Sequence, residues 1–508
     1  RGQPSIQLQS VLADPEALAR LPKAMAWHFQ AFPVSYQPET QKLVLASPKP
    51  NDIIAGDQIR AHVGLGVSIE WRLAGAADVL AAIDQFYGYE LSIDGIIHEI
   101  ETGQMDMTSL AQGQGGYSHP VVRLVDVLLS DGVHKFASDI HFEPEGQFLR
   151  IRYRIDGVLR QVRVLHGRYW SAMLVRLKLV AGMNIAESRA PQDGRVSLSI
   201  AGRNVDFRAA VQPTIHGENF VLRVLDAKRG IVDYDKLGLT DDQYHLLNLM
   251  LARPEGIILV TGPTGSGKTT TLYSVLSHMN DESVNIMTLE DPVEYPITRI
   301  RQTSISDGSK INFSDGVRSM MRQDPDIILV GEVRDKDTAE MAFRAAMTGH
   351  QVFSTLHTNS ALRSFQRIKD LGVSPEVMAG NIIGIVAQRL VRRLCPHCRE
   401  AVVVTDGSVE ATLIGDHAIG RTVYRAHQGG CEACGFRSYK GRLAIMELLR
   451  MDSELDELIT RNASLAELTA HALKIGFAPM ADDGLRRVLE GITTVEEVGR
   501  VVDLTTRL

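Results

Sequence analysis

Apolar positions along this chain keep three rhythms, and each predicts a kind of element. From Ile257 to Val260 they run unbroken, as in a parallel strand buried on both faces. Val67, Ile69 and Trp71 alternate with other positions, as in a half-buried strand. Ser138–Glu143 and Phe148–Arg154 keep the same period of two, and Arg195–Ile200, Arg203–Gln212 and Asn219–Leu225 read as further strands. Leu43–Leu45 reads as a strand that stops at the turn Ser47-Pro48-Lys49-Pro50. Helical spacing governs Ala55–Val63, Ala76–Tyr87, Val121–Asp131 and Tyr169–Ala181, and returns over Ser453–Ile475. Ser464 and Glu467 have the spacing of a capping box. Thr493 or Thr494 is placed to cap a last helix, in which Val495, Val498, Val501 and Val502 share one face.

These rhythms divide the chain. Residues 1–102 form a small α/β or α+β unit with no catalytic constellation, which suits an interaction or regulatory module. Residues 103–118 have little periodicity and much Gly and Gln, and read as a linker. Residues 119–228 read as an antiparallel sheet with helices on one face. Within them Arg150, Arg152 and Arg154 fall on one strand face. Such a row repels itself unless an anion or carboxylates lie opposite, so it suits a solvated edge, an acidic partner or a nucleotide. Residues 229–390 alternate strand and helix. A cysteine-bearing segment, 391–442, and a helical region, 443–508, follow.

Composition narrows the class. A chain of 508 residues with 44% hydrophobic and 23% charged positions is ordinary for a globular protein of several domains. Aromatics are only 6%, so the cores are expected to be aliphatic. A net charge of −7 argues against a dedicated nucleic-acid binder. No apolar run approaches a membrane span and no signal peptide is visible, so a cytoplasmic location is expected. The first residue is Arg1, so some native N-terminal residues are expected to be missing.

The strongest chemical signal follows the unbroken apolar run. Gly262-Pro263-Thr264-Gly265-Ser266-Gly267-Lys268-Thr269 has the spacing of a phosphate-binding loop. Glycines let the backbone curl so that successive N–H groups face one anion. Thr270 and the residues after it continue as a helix whose N-terminus points at the same anion. Lys268 is placed to reach β- and γ-phosphates, and the Thr269 hydroxyl to ligate Mg²⁺.

Hydrolysis needs carboxylates at the same sheet edge. Two later strands bring them. Ile286–Leu289 ends in Glu290, Asp291 and Glu294, and Ile327–Val330 ends in Gly331-Glu332. A third, Gln351–Leu356, is flanked by His350 and His357, and His357 falls at that edge as a candidate phosphate sensor or relay. Cys395, Cys398, Cys431 and Cys434 form two C-x-x-C pairs, which predict a closed, structural zinc site. Arg389, Arg392, Arg393 and Arg399 surround the first pair. Without interleaved aromatics they suit a subunit or partner contact better than nucleic acid.

Together these residues resemble the GspE/PilB-like secretion ATPases of type II secretion and type IV pilus assembly. Gly262–Thr269 looks like that family's Walker A motif, Thr288–Tyr295 its aspartate box, Arg322–Asp335 its Walker B and Thr348–Asn359 its histidine box. Ala137–His141, Arg154–Gly157, Pro191–Arg195 and His216–Glu218 resemble the signature of its pre-motor domain. The resemblance is strong over roughly residues 120–508 and weaker over 1–102. It implies a RecA-like P-loop ATPase core of α/β class and an α+β, PAS-like domain before it. It further implies a small N-terminal α/β domain and a zinc-binding helical C-terminal part.

The resemblance also implies roles. ATP and Mg²⁺ would meet residues 262–270 with Asp291 and Glu294. Glu290 would activate water, and Glu332 would organise water and Mg²⁺. Gly331 stands where many P-loop ATPases carry Asp, so the pattern leaves open which carboxylate is the base. Arg208 and Arg223 would act as arginine fingers, while Arg318, Arg322 and Arg334 would maintain the site or a subunit interface. The implied assembly is a cytoplasmic homo-hexamer working on an inner-membrane platform protein through a hinge near Asp226–Gly238, with residues 1–102 docked on a cytoplasmic adaptor and no nucleic acid. A retraction motor is a near relative, though that branch usually lacks both the N-terminal extension and the four cysteines. A DNA-uptake ATPase and a non-hydrolysing nucleotide-binding scaffold are the alternatives. No convincing cyclic-di-GMP motif is visible in 1–102.

Overall fold

The computed structural model describes residues 4–8, 11, 12, 14–64, 66–87, 96, 120–200, 203–225, 232–305 and 311–505. The expected linker, 103–118, and the first part of the expected hinge, 226–231, lie outside them. The chain forms two compact units, Arg1–Ala227 and Lys228–Leu508.

In the first unit, β1 (Val11–Leu12) and the helices Pro15–Arg20 and Lys23–Phe29 precede a small sheet. That sheet has β2 (Phe32–Gln37), β3 (Lys42–Ser47) and β4 (Ser68–Leu73) in order. β2 and β3 are antiparallel; β3 and β4 are parallel, with the helix Ile53–Val63 between them in sequence. Phe32, Leu43, Leu45, Ile59, Val79 and Ile83 form its core, closed by the helix Ala76–Phe86.

The larger sheet of this unit contains β5 (Ala137–Glu145), β6 (Phe148–Ile155), β7 (Val158–His166), β8 (Gln192–Ile200), β9 (Arg203–Thr214) and β10 (Gly217–Leu225). Its order is β1-β8-β9-β10-β5-β6-β7. One face is apolar: Ile140, Phe142, Leu149, Ile151 and Tyr153 bury against Leu124 and Leu128 of the helix Pro120–His134 and Met173 and Leu177 of the helix Trp170–Val180. The other face carries charge. Arg150, Arg152 and Arg154 face Glu145, Glu143 and Asp139 of β5 at 2.6, 2.6 and 3.7 Å. Carboxylates of the adjacent strand therefore lie opposite this arginine row.

The second unit is an α/β core of RecA-like form. Its strands are β11 (Gly256–Thr261), β12 (Ile286–Glu290), β13 (Arg301–Ser304), β14 (Ile327–Val330), β15 (Gln351–Leu356), β16 (Ile382–Leu394), β17 (Glu400–Val403), β18 (Thr422–Arg425) and β19 (Tyr439–Arg450). The main sheet runs β13-β12-β14-β15-β11-β16-β19, parallel throughout except for β19. Its inner strands are buried along their length, as unbroken apolar runs require. β16 and β19 pair antiparallel, and the cysteine segment, with the small β17–β18 ribbon, is inserted between them. Helices Ser453–Thr460, Leu465–Lys474, Met480–Leu489 and Val495–Gly499 complete the unit. Ser464 and Glu467 form the reciprocal capping box, and Thr494 caps the last helix.

Candidate active site

The phosphate-binding loop leaves β11 at the C-terminal edge of the sheet, where β12, β14 and β15 also end. Gly262, Gly265 and Gly267 have φ of 154°, 79° and 89°, conformations open chiefly to glycine. Gly267 leads into the helix Lys268–Met279, and no side chain caps that helix. Its first N–H groups therefore face the loop as an anion site. Pro263, Thr264, Gly265 and Thr269 are exposed, Thr270 is half-buried, and Ser266 is buried beneath them. Lys268 Nζ donates to the carbonyls of Gly262 and Pro263 at 2.8 and 3.2 Å. Burial lowers its pKa, Glu332 opposes that fall and Arg389 adds to it. A cation already costly to hold there gains from an incoming phosphate.

Glu332 and His357 meet at this edge. Glu332 Oε1 lies 2.9 Å from His357 Nε2, and its Oε2 accepts from Arg334 Nε at 2.7 Å. Arg334 also reaches Asp291, at 3.4 Å. Gly331 sits where β14 passes β12 closely: a Cβ there would lie 3.1 Å from the Leu289 carbonyl oxygen and 3.2 Å from Glu290 Cα. That crowding is a physical reason for glycine in place of a larger acid. His350, at the opposite end of β15, bonds back to the Ala345 carbonyl and belongs to a turn.

Glu290 is buried. Tyr273 of the loop's own helix donates to its Oε1, while Thr288 and Gln302 donate to Oε2 at 2.6 and 3.4 Å. Burial raises its pKa against those three donors. Glu294 lies alongside, its N–H on the Tyr273 hydroxyl at 3.3 Å. Tyr273 and Gln302 are site residues that sequence reasoning missed; nothing in their spacing points at Glu290.

The five arginines expected to serve the site fall in different places. Arg334 is joined to the carboxylates as described. Arg318 lines a cavity of about 780 Å³ with Asp291, Arg334 and Arg344, and pairs with Asp315. Arg322 donates to the Arg318 carbonyl at 3.1 Å. Arg208 and Arg223 belong to the first unit, directly opposite one another on the charged face of the larger sheet. Arg195 of β8 stands opposite Arg208, and Asp139 opposite Arg223, with 3.3 Å between Arg223 Nε and Asp139 Oδ1. Arg195 thus joins the pair through strand register, which no local pattern reveals.

The four cysteines converge. Their sulfurs all lie within 4.8 Å of one another, with Cys395–Cys431 at 3.8 Å and Cys431–Cys434 at 3.9 Å. A tetrahedral ion with bonds of about 2.3 Å has sulfur edges of about 3.8 Å, so the donor set fits zinc. Burial opposes ionisation of Cys434, yet N–H groups aimed at its sulfur from Cys431 and Ser438, both at 3.2 Å, help hold it below the usual thiol range.

Known proteins are similar to this chain in sequence and fold. The family model described as "Type II/IV secretion system protein" matches residues 116–500, and one described as "MshEN domain" matches residues 1–93. The chain belongs to the type II/IV secretion system protein family. The type II secretion system protein E of Pseudomonas aeruginosa is 44% identical over 383 residues, 75% of either chain. The type IV pilus assembly ATPase PilB of Myxococcus xanthus is 38% identical over 510 residues, 98% of this chain and 88% of that one. A crystal structure of the pilus retraction motor PilT with bound ADP superposes with a TM-score of 0.53 at 27% identity, covering 76% of this chain and 98% of that one. This family member is therefore a secretion or pilus ATPase by kinship. Among its described residues no helix is long and apolar enough to cross a membrane.

Proposed function

We propose that this chain hydrolyses ATP to ADP and phosphate, and that as a cytoplasmic homo-hexamer it drives pilus or pseudopilus assembly and protein secretion through an inner-membrane platform protein. The observation that carries this reading is the gathering of Lys268, Glu332 and His357 beside an uncapped helix N-terminus at one sheet edge. In this reading the loop amides and Lys268 take the β- and γ-phosphates, and Lys268 exchanges its two carbonyl partners for phosphate oxygen. Thr269, with Asp291 and Glu294, is assigned to hold Mg²⁺. When bound, that ion neutralises charge on the phosphates.

Glu290 is proposed as the proton acceptor. Its burial pushes the pKa up, as a general base working near neutrality needs. A carboxylate has about four lone-pair sites, so its bonds to Tyr273, Thr288 and Gln302 fix its direction and leave capacity for a water proton. Glu332, steered by His357 and Arg334, orients that water. Arg208 and Arg223 are proposed to meet charge that develops on the transferred group. The four cysteines are proposed to hold Zn²⁺, which, when bound, cross-links their segment, and residues 1–102 to dock on a cytoplasmic adaptor. The test is ATP hydrolysis by the purified full chain with Mg²⁺. Turnover is expected in the wild type and its loss in Lys268→Ala; equal turnover in both would overturn the assignment.

A further inference from the structure

The strands that lead into and out of the cysteine segment also touch the nucleotide site. β16 lies directly against β11, with Ala387 opposite Thr261, the residue before the phosphate-binding loop. The next residue, Gln388, is fully buried, and its Nε2 donates to the Ser266 carbonyl at 2.8 Å. Its Oε1 has no hydrogen-bond partner among the described residues. A buried amide with one end unsatisfied costs stability, so an apolar side chain would serve the core better. What the amide supplies is a donor to the middle of the loop.

Successive strand residues point to opposite faces. Arg389 therefore works on the other side, where its guanidinium holds the Asn359 carbonyl and side chain at 3.3 and 3.2 Å. Glu447 of β19 stands opposite Ala387 and shares that face. One of its carboxylate oxygens accepts from Ala361 N at 2.7 Å, the other from Met480 N at 2.8 Å. Asn359 and Ala361 bracket the turn just after His357. Thr358, between His357 and that turn, donates its N–H to Thr261 Oγ1, which closes the circuit back to β11. Cys395 follows Arg389 by six residues, immediately after the last residue of β16.

We propose that Gln388, Arg389 and Glu447 are positioning residues, through which the β16–β19 pair fixes the phosphate-binding loop from one face and the turn after His357 from the other. The proposal rests on the reading of this loop as an ATP site. Gln388 shapes the loop that receives phosphates in the ground state, so its loss weakens binding. Glu447 holds the turn that follows His357, so its loss slows turnover.

The experiment compares the wild-type full chain with Lys268→Ala, Gln388→Met and Glu447→Gln. It measures the Kd of a fluorescent ADP with Mg²⁺, kcat and KM for ATP, hydrogen exchange of residues 262–268 and the melting temperature. In Gln388→Met, Kd and KM are expected to rise roughly five- to tenfold with little change in kcat. Exchange in 262–268 should quicken while β11 stays protected. In Glu447→Gln, which offers one acceptor where two N–H groups need them, kcat is expected to fall about tenfold with KM little moved. Should Gln388→Met not fold, Gln388→Leu removes the same donor. Wild-type affinity in Gln388→Met beside lost affinity in Lys268→Ala would overturn the proposal alone. So would losses that scale with melting temperature and spare neither parameter. A wild-type chain that binds no nucleotide would remove the ATP reading, and this proposal with it.

Discussion

Glu332 Oε1 and His357 Nε2 lie 2.9 Å apart, each at the end of a different strand of the main sheet. The imidazole spans the gap between β14 and β15 and, with Arg334 on Oε2, leaves the carboxylate little freedom. Glu332→Gln keeps the size but not the charge. The variant is expected to bind ATP and to hydrolyse it about a hundredfold more slowly. His357→Ala, which frees one oxygen only, should cost about tenfold in kcat. Unchanged turnover in Glu332→Gln would remove that residue from the chemistry.

Tyr273 ties the helix of the phosphate-binding loop to Glu290. Burial raises the Glu290 pKa, and the Tyr273 hydroxyl is one of the groups that oppose the rise. Tyr273→Phe removes that opposition, so the carboxyl titrates at higher pH still. The acid limb of kcat/KM should therefore move to higher pH, with about 1–2 kcal/mol of stability lost to an acceptor left short of a partner. A pH profile that stays in place would show that Glu290 does not titrate in the rate-limiting step.

What was legible follows from how far each signal reaches along the chain. The loop 262–269 declares itself because its chemistry needs glycines at fixed spacing within one turn. Arg150, Arg152 and Arg154 declare a common face for the same reason. Their partners Glu145, Glu143 and Asp139 are set by antiparallel register, which local pattern does not encode. The meeting of Arg195 with Arg208 is hidden likewise. β7 escaped notice because it is a half-exposed edge strand without alternation. β1 did because two residues, Val11 and Leu12, pair with Ser199 and Ile200 far along the chain. The contact of Gln388 with Ser266 needs two strands to become neighbours first.

Glu218, on β10, has a structural partner. Lys178, 1% exposed, lies 2.6 Å from its carboxylate and also donates to the Glu187 carbonyl. Removing one member of a buried pair strands the other charge, at about 3–5 kcal/mol. Lys178→Met should lower the unfolding free energy by that amount. The double variant Lys178→Met/Glu218→Gln should recover much of it. Additive losses in a double-mutant cycle would show that the two charges are not coupled.

Glu497 joins the last helix to β16. Its carboxylate accepts from the Arg392 side chain and backbone and from Arg500. Burial works against its ionisation, but these donors hold its pKa at about 2, below the ordinary 4.5. A depressed carboxylate contributes its full stability above 4.5 and loses it as pH falls toward 2. At about 1.4 kcal/mol per pH unit, the interval is worth about 3 kcal/mol. Glu497→Gln should therefore unfold well below the wild type at pH 7, and the gap should close between pH 4.5 and 2. A gap that is constant across that range would mean lost packing, not lost charge.

The four-sulfur cluster predicts a different response, to chelation. Cys395 and Cys434 are buried, and all four thiols lie at the spacing of one tetrahedral ion, far beyond disulfide length. Purified protein should carry one zinc per chain. Its removal should release residues 395–438, seen as faster proteolysis and hydrogen exchange there. The cost is not expected to spread through the sheet, because β16 and β19 stay paired from Gly384–Arg450 through Arg392–Arg442 without help from the cysteines. ADP affinity should thus change less than about threefold on chelation, since Gln388 and Glu447 keep their partners. A metal-free protein in which 395–438 is as protected as before would overturn the four-thiolate site. Lost ADP binding on chelation would show instead that the metal, and not the strand pair alone, holds the loop in shape.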